Sequence, residues 1–320
     1  DLVRSRGLGD VYKRQQEMWL KPGFILYDKA NINGAKKINT TVAPYTKVNI
    51  VQIVQTVKGT YAQLEGQGWV SMEFLDETDN RMDKVQEILS SKYNKADYSI
   101  YVKQLDTGKE AGINQDQEMY SASVTKLPYL YYVQEQLDQK KLSLDQKFKY
   151  IGAVNDFAGA YEPEGSGSIA KSADDKEYSV QDLINRVAKE SDNVAHNILG
   201  YYATNQSDKN FQQTINKIAG KKWDVEERQA SSRMAGNVLE AIYEQNGMII
   251  DALSQTNYDN QRISKNIDVK VAHKIGDAYD FKHDAAIVYT DSPFIIVIFT
   301  NNSNYDNISQ IADDVYGVLK

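Results

Sequence analysis

Residues 119–137 read MYSASVTKLPYLYYVQEQL, and the reading of this stretch decides the fold. Ser123-Val124-Thr125-Lys126 is an S-x-x-K tetrad at the junction of two patterns. Before it, residues 98–104 alternate and Asp106-Thr107-Gly108-Lys109 makes a turn, so strand, turn and strand lead up to Ser123. After it, Leu127, Leu130 and Leu137 form an apolar helical face. Pro128 is tolerated in the first turn, where N–H groups have no intrahelical acceptor to lose. A serine at a helix start feels the positive end of the helix dipole, which favours a developing oxyanion. Positions three apart share a helix face, so the Ser123 hydroxyl and the Lys126 amine come within reach. A neutral lysine beside a serine can activate it, and burial plus a second cation would lower the amine's pKa. An N-cap serine followed by a solvated lysine spells the same four letters. The tetrad therefore needs partners.

Two partners follow in order. Ser191-Asp192-Asn193 lies between a helix over 180–187 and another through Val194, Ile198 and Leu199. A loop there can present a hydroxyl and an amide to a cleft, although Ser-Asp-Asn also suits a plain helix cap. Lys274-Ile275-Gly276 ends a strand in which Val269, Val271 and His273 alternate, so Lys274 should face away from His273. Lys274 is the candidate for the second cation. Another S-x-x-K, Ser168 to Lys171, sits in GSGSIAKSADD (165–175) with no apolar periodicity behind it.

Working outward, the region 81–320 begins helix, strand, strand and is helical in the middle. It ends in strands near 269–273, 285–289 and 294–300 and a last helix through Ile308, Ile311, Val315 and Leu319. Strands from both ends can meet in one antiparallel sheet flanked by helices, with the helical middle as a separate lobe: an α+β fold with a cleft between lobes. Residues 18–75 instead show short strands with turn signals at Asn33-Gly34 and Lys58-Gly59, closing on Gly66-Gln67-Gly68-Trp69-Val70. Residues 76–80 are polar and read as the linker. Residues 5–15, SRGLGDVYKRQ, resemble the in-frame translation of a sequencing-library adapter, so 1–15 are set aside and the lack of a leader is uninformative.

The flanks carry the resemblance further. TGKEAGINQDQEMYSASVTK (107–126), YSVQDLINRVAKESDNVAHN (178–197), and VAHKIG (271–276) followed by HDAAIVY (283–289) resemble the class A β-lactamases and penicillin-recognising serine hydrolases, over roughly 82–320. That resemblance implies Ser123 as nucleophile, Lys126 as acylation base, Ser191 as proton shuttle and Lys274 as electrostatic anchor. It implies Asn193 as a ligand of Lys126 and of a substrate amide. The backbone N–H groups of Ser123 and of Asp277, the residue after Gly276, would form the oxyanion hole. Residues 18–75 resemble bacterial SH3-like, GW-type modules, which implies a wall-binding role and an extracellular or cell-surface location of Gram-positive type. No cofactor or metal is expected: His196, His273 and His283 are scattered and match no metal-site spacing.

Two departures from the family pattern matter. Ile275 stands where the family has Thr or Ser, so a hydroxyl for the substrate carboxylate is missing. The E-x-x-L-N glutamate that activates the deacylating water is also missing. Trp223-Asp224-Val225-Glu226 echoes that motif, but only six residues separate Asp224 from Ser231, too few for a full Ω-loop. Glu162-Pro163-Glu164 precedes Ser191-Asp192-Asn193 and so lies in the wrong place. Slow deacylation of a β-lactam or peptidoglycan-peptide acyl-enzyme is the expectation. A catalytically weak wall- or penicillin-binding protein is the alternative.

Bulk properties agree. In 320 residues, 41% hydrophobic and 25% charged content is ordinary for a folded protein, and a net charge of −7 argues against nucleic acid as partner. The absence of cysteine excludes disulfide and thiolate chemistry. The loop 156–168, with Tyr161 and several glycines, is placed at the cleft mouth.

Overall fold

The computed structural model describes residues 11–30 and 33–320. The chain divides into two units, one up to Val85 and one from Gln86. The division falls inside helix α1 (Arg81–Lys92), beyond the 76–80 segment read as the linker.

The first unit is a single antiparallel sheet. Its strands are β1 (Val11–Leu20), β2 (Leu26–Tyr27), β3 (Lys37–Ile38), β4 (Lys47–Thr56), β5 (Gly59–Leu64), β6 (Gly68–Ser71) and β7 (Leu75–Asp76). They lie in the order β3-β2-β6-β5-β4-β1-β7. Val57-Lys58 is a two-residue hairpin between Thr56 and Gly59, as the turn signal required. Gly68 has φ +150°, and a Cβ there would meet the Tyr27 carbonyl at 2.8 Å, so only glycine fits. Met18, Leu20, Leu26, Ile50, Ala62, Leu64, Val70 and Leu75 form the core. Of the residues set aside as adapter-derived, 1–10 lie outside the described residues, whereas Val11, Tyr12 and Lys13 pair in β1 with β4.

In the second unit, β8 (Tyr98–Gln104) and β9 (Glu110–Ile113) come early in the chain, and β10 (Met119–Tyr120) leads into the Ser123 turn. The helical lobe follows: α2 (Lys126–Asp138), the short pair β11 (Lys147–Lys149) and β12 (Glu177–Ser179), α3 (Val180–Glu190), α4 (Asn193–Ala203) and α5 (Lys209–Ala219). Strand β13 (Gln229–Ala230) pairs with β10 ahead of α6 (Ser232–Gln245) and α7 (Met248–Ala252). The chain ends in β14 (Val271–Ala278), β15 (Phe281–Val288), β16 (Phe294–Asn301) and α8 (Tyr305–Leu319). The five long strands form one antiparallel sheet, β14-β15-β16-β8-β9. Pairing of β16 with β8, from Phe294↔Gln104 to Thr300↔Tyr98, ties the two ends of the chain together. Every residue of β16 from Phe294 to Thr300 is fully buried, which marks a strand covered on both faces and explains its unbroken apolar run. The α+β architecture is thus as expected. One boundary differs: Lys274 does not end its strand but sits in its middle, because β15 supplies partners as far as Ala278↔Phe281.

Candidate active site

Ser123 lies on a 3-10 turn, Ala122–Thr125, and α2 proper starts only at Lys126. The turn is held from several sides. Ser121 N–H and Oγ–H both donate to the Arg228 carbonyl (2.7 and 2.9 Å), and Val124 N–H donates to the Ser121 carbonyl (3.0 Å). The phenol of Tyr161 donates to the Ala122 carbonyl (2.8 Å), and Trp223 Nε1 to Thr125 Oγ1 (3.0 Å). Ala122 is forced to φ +49°, a strained value for a residue with a Cβ. Ser123, 8% exposed, is thereby fixed with its N–H in a first turn that has no preceding carbonyl to satisfy it.

Lys126 is completely buried. Its amine donates to the Ser191 carbonyl (2.6 Å), to Asn193 Oδ1 (2.6 Å) and to Ser191 Oγ (3.1 Å). Lys274, 1% exposed, donates to the same Ser191 Oγ (2.8 Å) and to the Ile275 carbonyl (3.0 Å). One hydroxyl therefore joins two buried amines. Burial first, then the charge of Lys274, holds the Lys126 amine well below its usual range, with Arg228 adding to the effect and Asp192 opposing it. Burial pushes Lys274 down to about 7, against the pull of Asp284 and with the help of Arg262. Burial and the neighbouring amine thus favour the neutral form of Lys126, the state that proton abstraction needs, and in that form the Ser191 hydroxyl donates to its nitrogen.

Ser191 ends α3 in the left-handed region at φ +57°, and Asp192 caps α4 by accepting from Ala195 N–H (2.9 Å). Asp192 also accepts from the backbone of Ser168 and Ile169, so its charge is spent on the loop 156–168. That loop packs onto the turn at van der Waals limits: a Cβ on Gly167 would meet Asp192 at 2.2 Å. Asn193 Nδ2 donates to the Glu162 carbonyl (2.9 Å), which takes one of its two amide hydrogens. The other S-x-x-K is not such a pair: Ser168 Oγ bonds Glu190, and Lys171 bonds the carbonyls of Gly165 and Gly167.

Strand β14 is the sheet edge beside the Ser123 turn. Tyr289 N–H donates to the Lys270 carbonyl, whereas His273 N–H turns away from β15 to the Leu253 carbonyl. Antiparallel alternation then turns the N–H of Ile275 and Asp277 to the free edge too. Gly276 allows this edge to approach, since a Cβ there would meet the Ser121 carbonyl at 2.8 Å and Val124 N at 3.3 Å. That contact sets Gly276 directly against the Ser121–Val124 turn, with Asp277 next along the strand.

Several groups gave no motif signal. His273 is buried between carboxylates, Nδ1 3.0 Å from Asp284 and Nε2 2.8 Å from Asp259. Burial opposes its charge, but the two carboxylates outweigh burial and push it up to about 9. Arg262, 1% exposed, pairs with Asp277 (2.9 Å) and stacks on Tyr305 (3.8 Å). Tyr161 lies under both Lys126 Nζ (4.6 Å from its centroid) and the Arg228 guanidinium (3.7 Å). His196 packs edge-on between Tyr129 and Tyr161, and burial with Lys126 and Arg228 keeps it neutral. Asp224, which echoed the missing glutamate, spends Oδ1 on Glu227 N–H in a tight turn closed by the Asp224↔Gln229 bridge, and Glu226 is exposed.

Residues 80–319 match the β-lactamase enzyme family. The chain belongs to that family. It is accordingly a β-lactamase-like serine hydrolase. In fold it is similar to PBP-A, with TM-score 0.62 and 16% identity over 75% of this chain and 96% of that one. It is similar also to a β-lactamase from Chitinophaga pinensis DSM 2588 (0.59, 20%, 75% and 100%) and to the TLA-3 extended-spectrum β-lactamase (0.59, 18%, 76% and 99%). No curated protein matches the chain in sequence.

Proposed function

We propose that this β-lactamase-like hydrolase forms an acyl-enzyme at Ser123 with a β-lactam or a peptidoglycan peptide, and releases it slowly. The observation that carries this reading is the Ser191 hydroxyl held by both Lys126 and Lys274 beside the Ser123 turn. Ser123 Oγ attacks the amide carbonyl carbon while its proton passes to neutral Lys126. The N–H groups of Ser123 and Asp277 take the oxyanion, and Lys274 supplies a positive field. As the C–N bond breaks, the proton moves from Lys126 through Ser191 Oγ to the departing nitrogen, leaving a serine ester and an amine. Asn193 holds Lys126 and offers its remaining N–H to the substrate, with Gly276 keeping the edge close. A mutant of PBP-A is known as an acyl-enzyme complex with penicillin G, which supports the β-lactam as a ligand class.

Slow release rests on the engaged Asp224 and the exposed Glu226, neither of which offers a carboxylate poised over the ester. For the first unit we propose an SH3-like fold that binds cell wall and holds the enzyme at the extracellular surface. A cavity of about 340 Å³ lined by Tyr27, Tyr61, Met72 and Phe74 supports it. The buried Ile275 favours one alternative, a wall-bound penicillin-binding protein with little turnover. Mass spectrometry after penicillin G treatment tests the core claim: a penicilloyl adduct on the wild type and none on Ser123→Ala is expected. Equal labelling of both would end the Ser123 assignment. Sedimentation with peptidoglycan, with and without residues 18–75, tests the wall-binding role.

A further inference from the structure

The helical lobe holds a guanidinium that the reaction above does not use. Arg228 precedes β13 with φ +55°, and its carbonyl is the acceptor that fixes Ser121. Its side chain lies flat on Tyr161, with NH2 donating to the Ala160 carbonyl (2.7 Å). Its Nε–H is buried and meets no acceptor among the described residues, and no carboxylate there lies within ion-pair distance of the group. Arg262 makes the contrast. It bears on Lys274 and is already paired with Asp277, whereas Arg228 bears on Lys126 and carries no counter-charge.

A partly exposed guanidinium held by an aromatic face and a backbone carbonyl, with no carboxylate on it, keeps its charge free for a ligand anion. The surroundings match such a ligand. Tyr120 pairs with Gln229 across the β10–β13 ladder, next to Arg228 and directly before Ser121. Its ring meets Tyr279 and Phe281, each at 5.8 Å, on the hairpin that follows Asp277. Tyr279 is 85% exposed. An aromatic ledge thus runs from the oxyanion edge toward Arg228.

From this juxtaposition we infer that Arg228, with Tyr120, forms a subsite for a carboxylate carried on the acyl side of the substrate. The inference rests on Ser123 acylation as proposed above, and adds which acyl donors are preferred. The planar fork of Arg suits a carboxylate in two-point contact, and with Nε–H buried that contact falls to the terminal nitrogens of this partly exposed side chain.

Carbenicillin and benzylpenicillin form the test pair, since they share a leaving group and differ by one side-chain carboxylate. Second-order acylation rates with both are measured on the wild type, Arg228→Gln and Arg228→Lys. The carbenicillin-to-benzylpenicillin ratio should fall about 10- to 100-fold in Arg228→Gln, the range for losing a hydrogen bond to a charged group. It should fall less in Arg228→Lys, which keeps the charge. Any effect of Arg228 on Lys126 changes both penicillins alike and cancels in the ratio. An unchanged ratio in Arg228→Gln overturns the subsite while leaving acylation intact. Failure of benzylpenicillin to acylate the wild type overturns the underlying reaction instead. Should the variants not fold, the wild type alone decides: esterifying the side-chain carboxylate of carbenicillin should remove its advantage, and an equal rate for acid and ester refutes the subsite.

Discussion

Substituting Gly276 by alanine tests whether the edge of β14 and the Ser123 turn act as one device. The added methyl would lie 2.8 Å from the Ser121 carbonyl oxygen, 3.1 Å from Val124 Cγ2 and 3.3 Å from Val124 N. A comfortable carbon–oxygen contact needs roughly half an ångström more, and close-packed interiors give way reluctantly. The obstructing carbonyl has little freedom, because it accepts from Val124 N–H and its own residue is bonded twice to Arg228. Strand β14 is therefore the partner that moves, and it carries the Asp277 N–H away from the Ser123 N–H. Losing one oxyanion donor costs a factor of about 100 to 1,000 in rate, or about 3–4 kcal/mol of transition-state stabilisation. Stopped-flow acylation by nitrocefin or penicillin G should slow by that factor. Overpacking should lower ΔG of unfolding by about 1–3 kcal/mol, a melting shift of a few degrees for a unit of this size. Acylation within threefold of wild type would refute the idea that this contact sets the oxyanion site.

Three further outcomes follow from the charges. The alkaline limb of the acylation rate should have an apparent pKa near 7, belonging to the coupled Lys126–Lys274 pair, and Lys274→Arg should move it upward even if the maximum rate falls. His273, raised to about 9 in the folded protein, contributes stability fully present below pH 6.5 and lost as pH rises through about 9. The difference in ΔG of unfolding between wild type and His273→Leu should accordingly be largest below pH 6.5, on the order of 3 kcal/mol, and shrink toward pH 9. Excess nitrocefin should give a stoichiometric burst and then slow turnover; sustained fast hydrolysis would mean that a water-activating base exists despite the engaged Asp224.

The fold was largely legible because its signals are local or periodic. The apolar run in β16 and the helical spacing in α3 each report one element's burial, whereas the alternation at 98–104 located β8 but not its burial, which covers both faces. The order of three short motifs was enough to nominate Ser123, Lys126, Ser191 and Lys274: the first three sit at element junctions that sequence marks with caps and turns, whereas Lys274 lies mid-strand and was found by its spacing to Gly276 alone. What stayed hidden is long-range pairing. Nothing adjacent to Arg228 says that it will stack on Tyr161, 67 positions earlier, and His273 finds Asp284 only because β14 and β15 pair in one register. Asn193 shows the same limit, for its second partner is a backbone carbonyl in a loop 31 positions away.

Backbone strain gives the last link between these groups. Ala122, Ser191, Arg228 and Arg262 all have φ near +50 to +60° without being glycine. Each such residue costs about 1–2 kcal/mol, so together they represent a sizeable fraction of a domain's net stability. They are four of the fourteen such residues among those described: one precedes the nucleophile, one carries the shared hydroxyl, and two carry the guanidiniums that act on Lys126 and Lys274. Relaxing any of them to right-handed geometry would swing its side chain or its neighbour off the site. The prediction is that Ser191→Gly, which removes the strain and the hydroxyl together, gains local backbone stability yet loses acylation, while Ser191→Ala loses acylation without that gain. Equal melting temperatures for the two variants would show that the left-handed turn at 191 carries no cost, and the link between strain and the site would fail there.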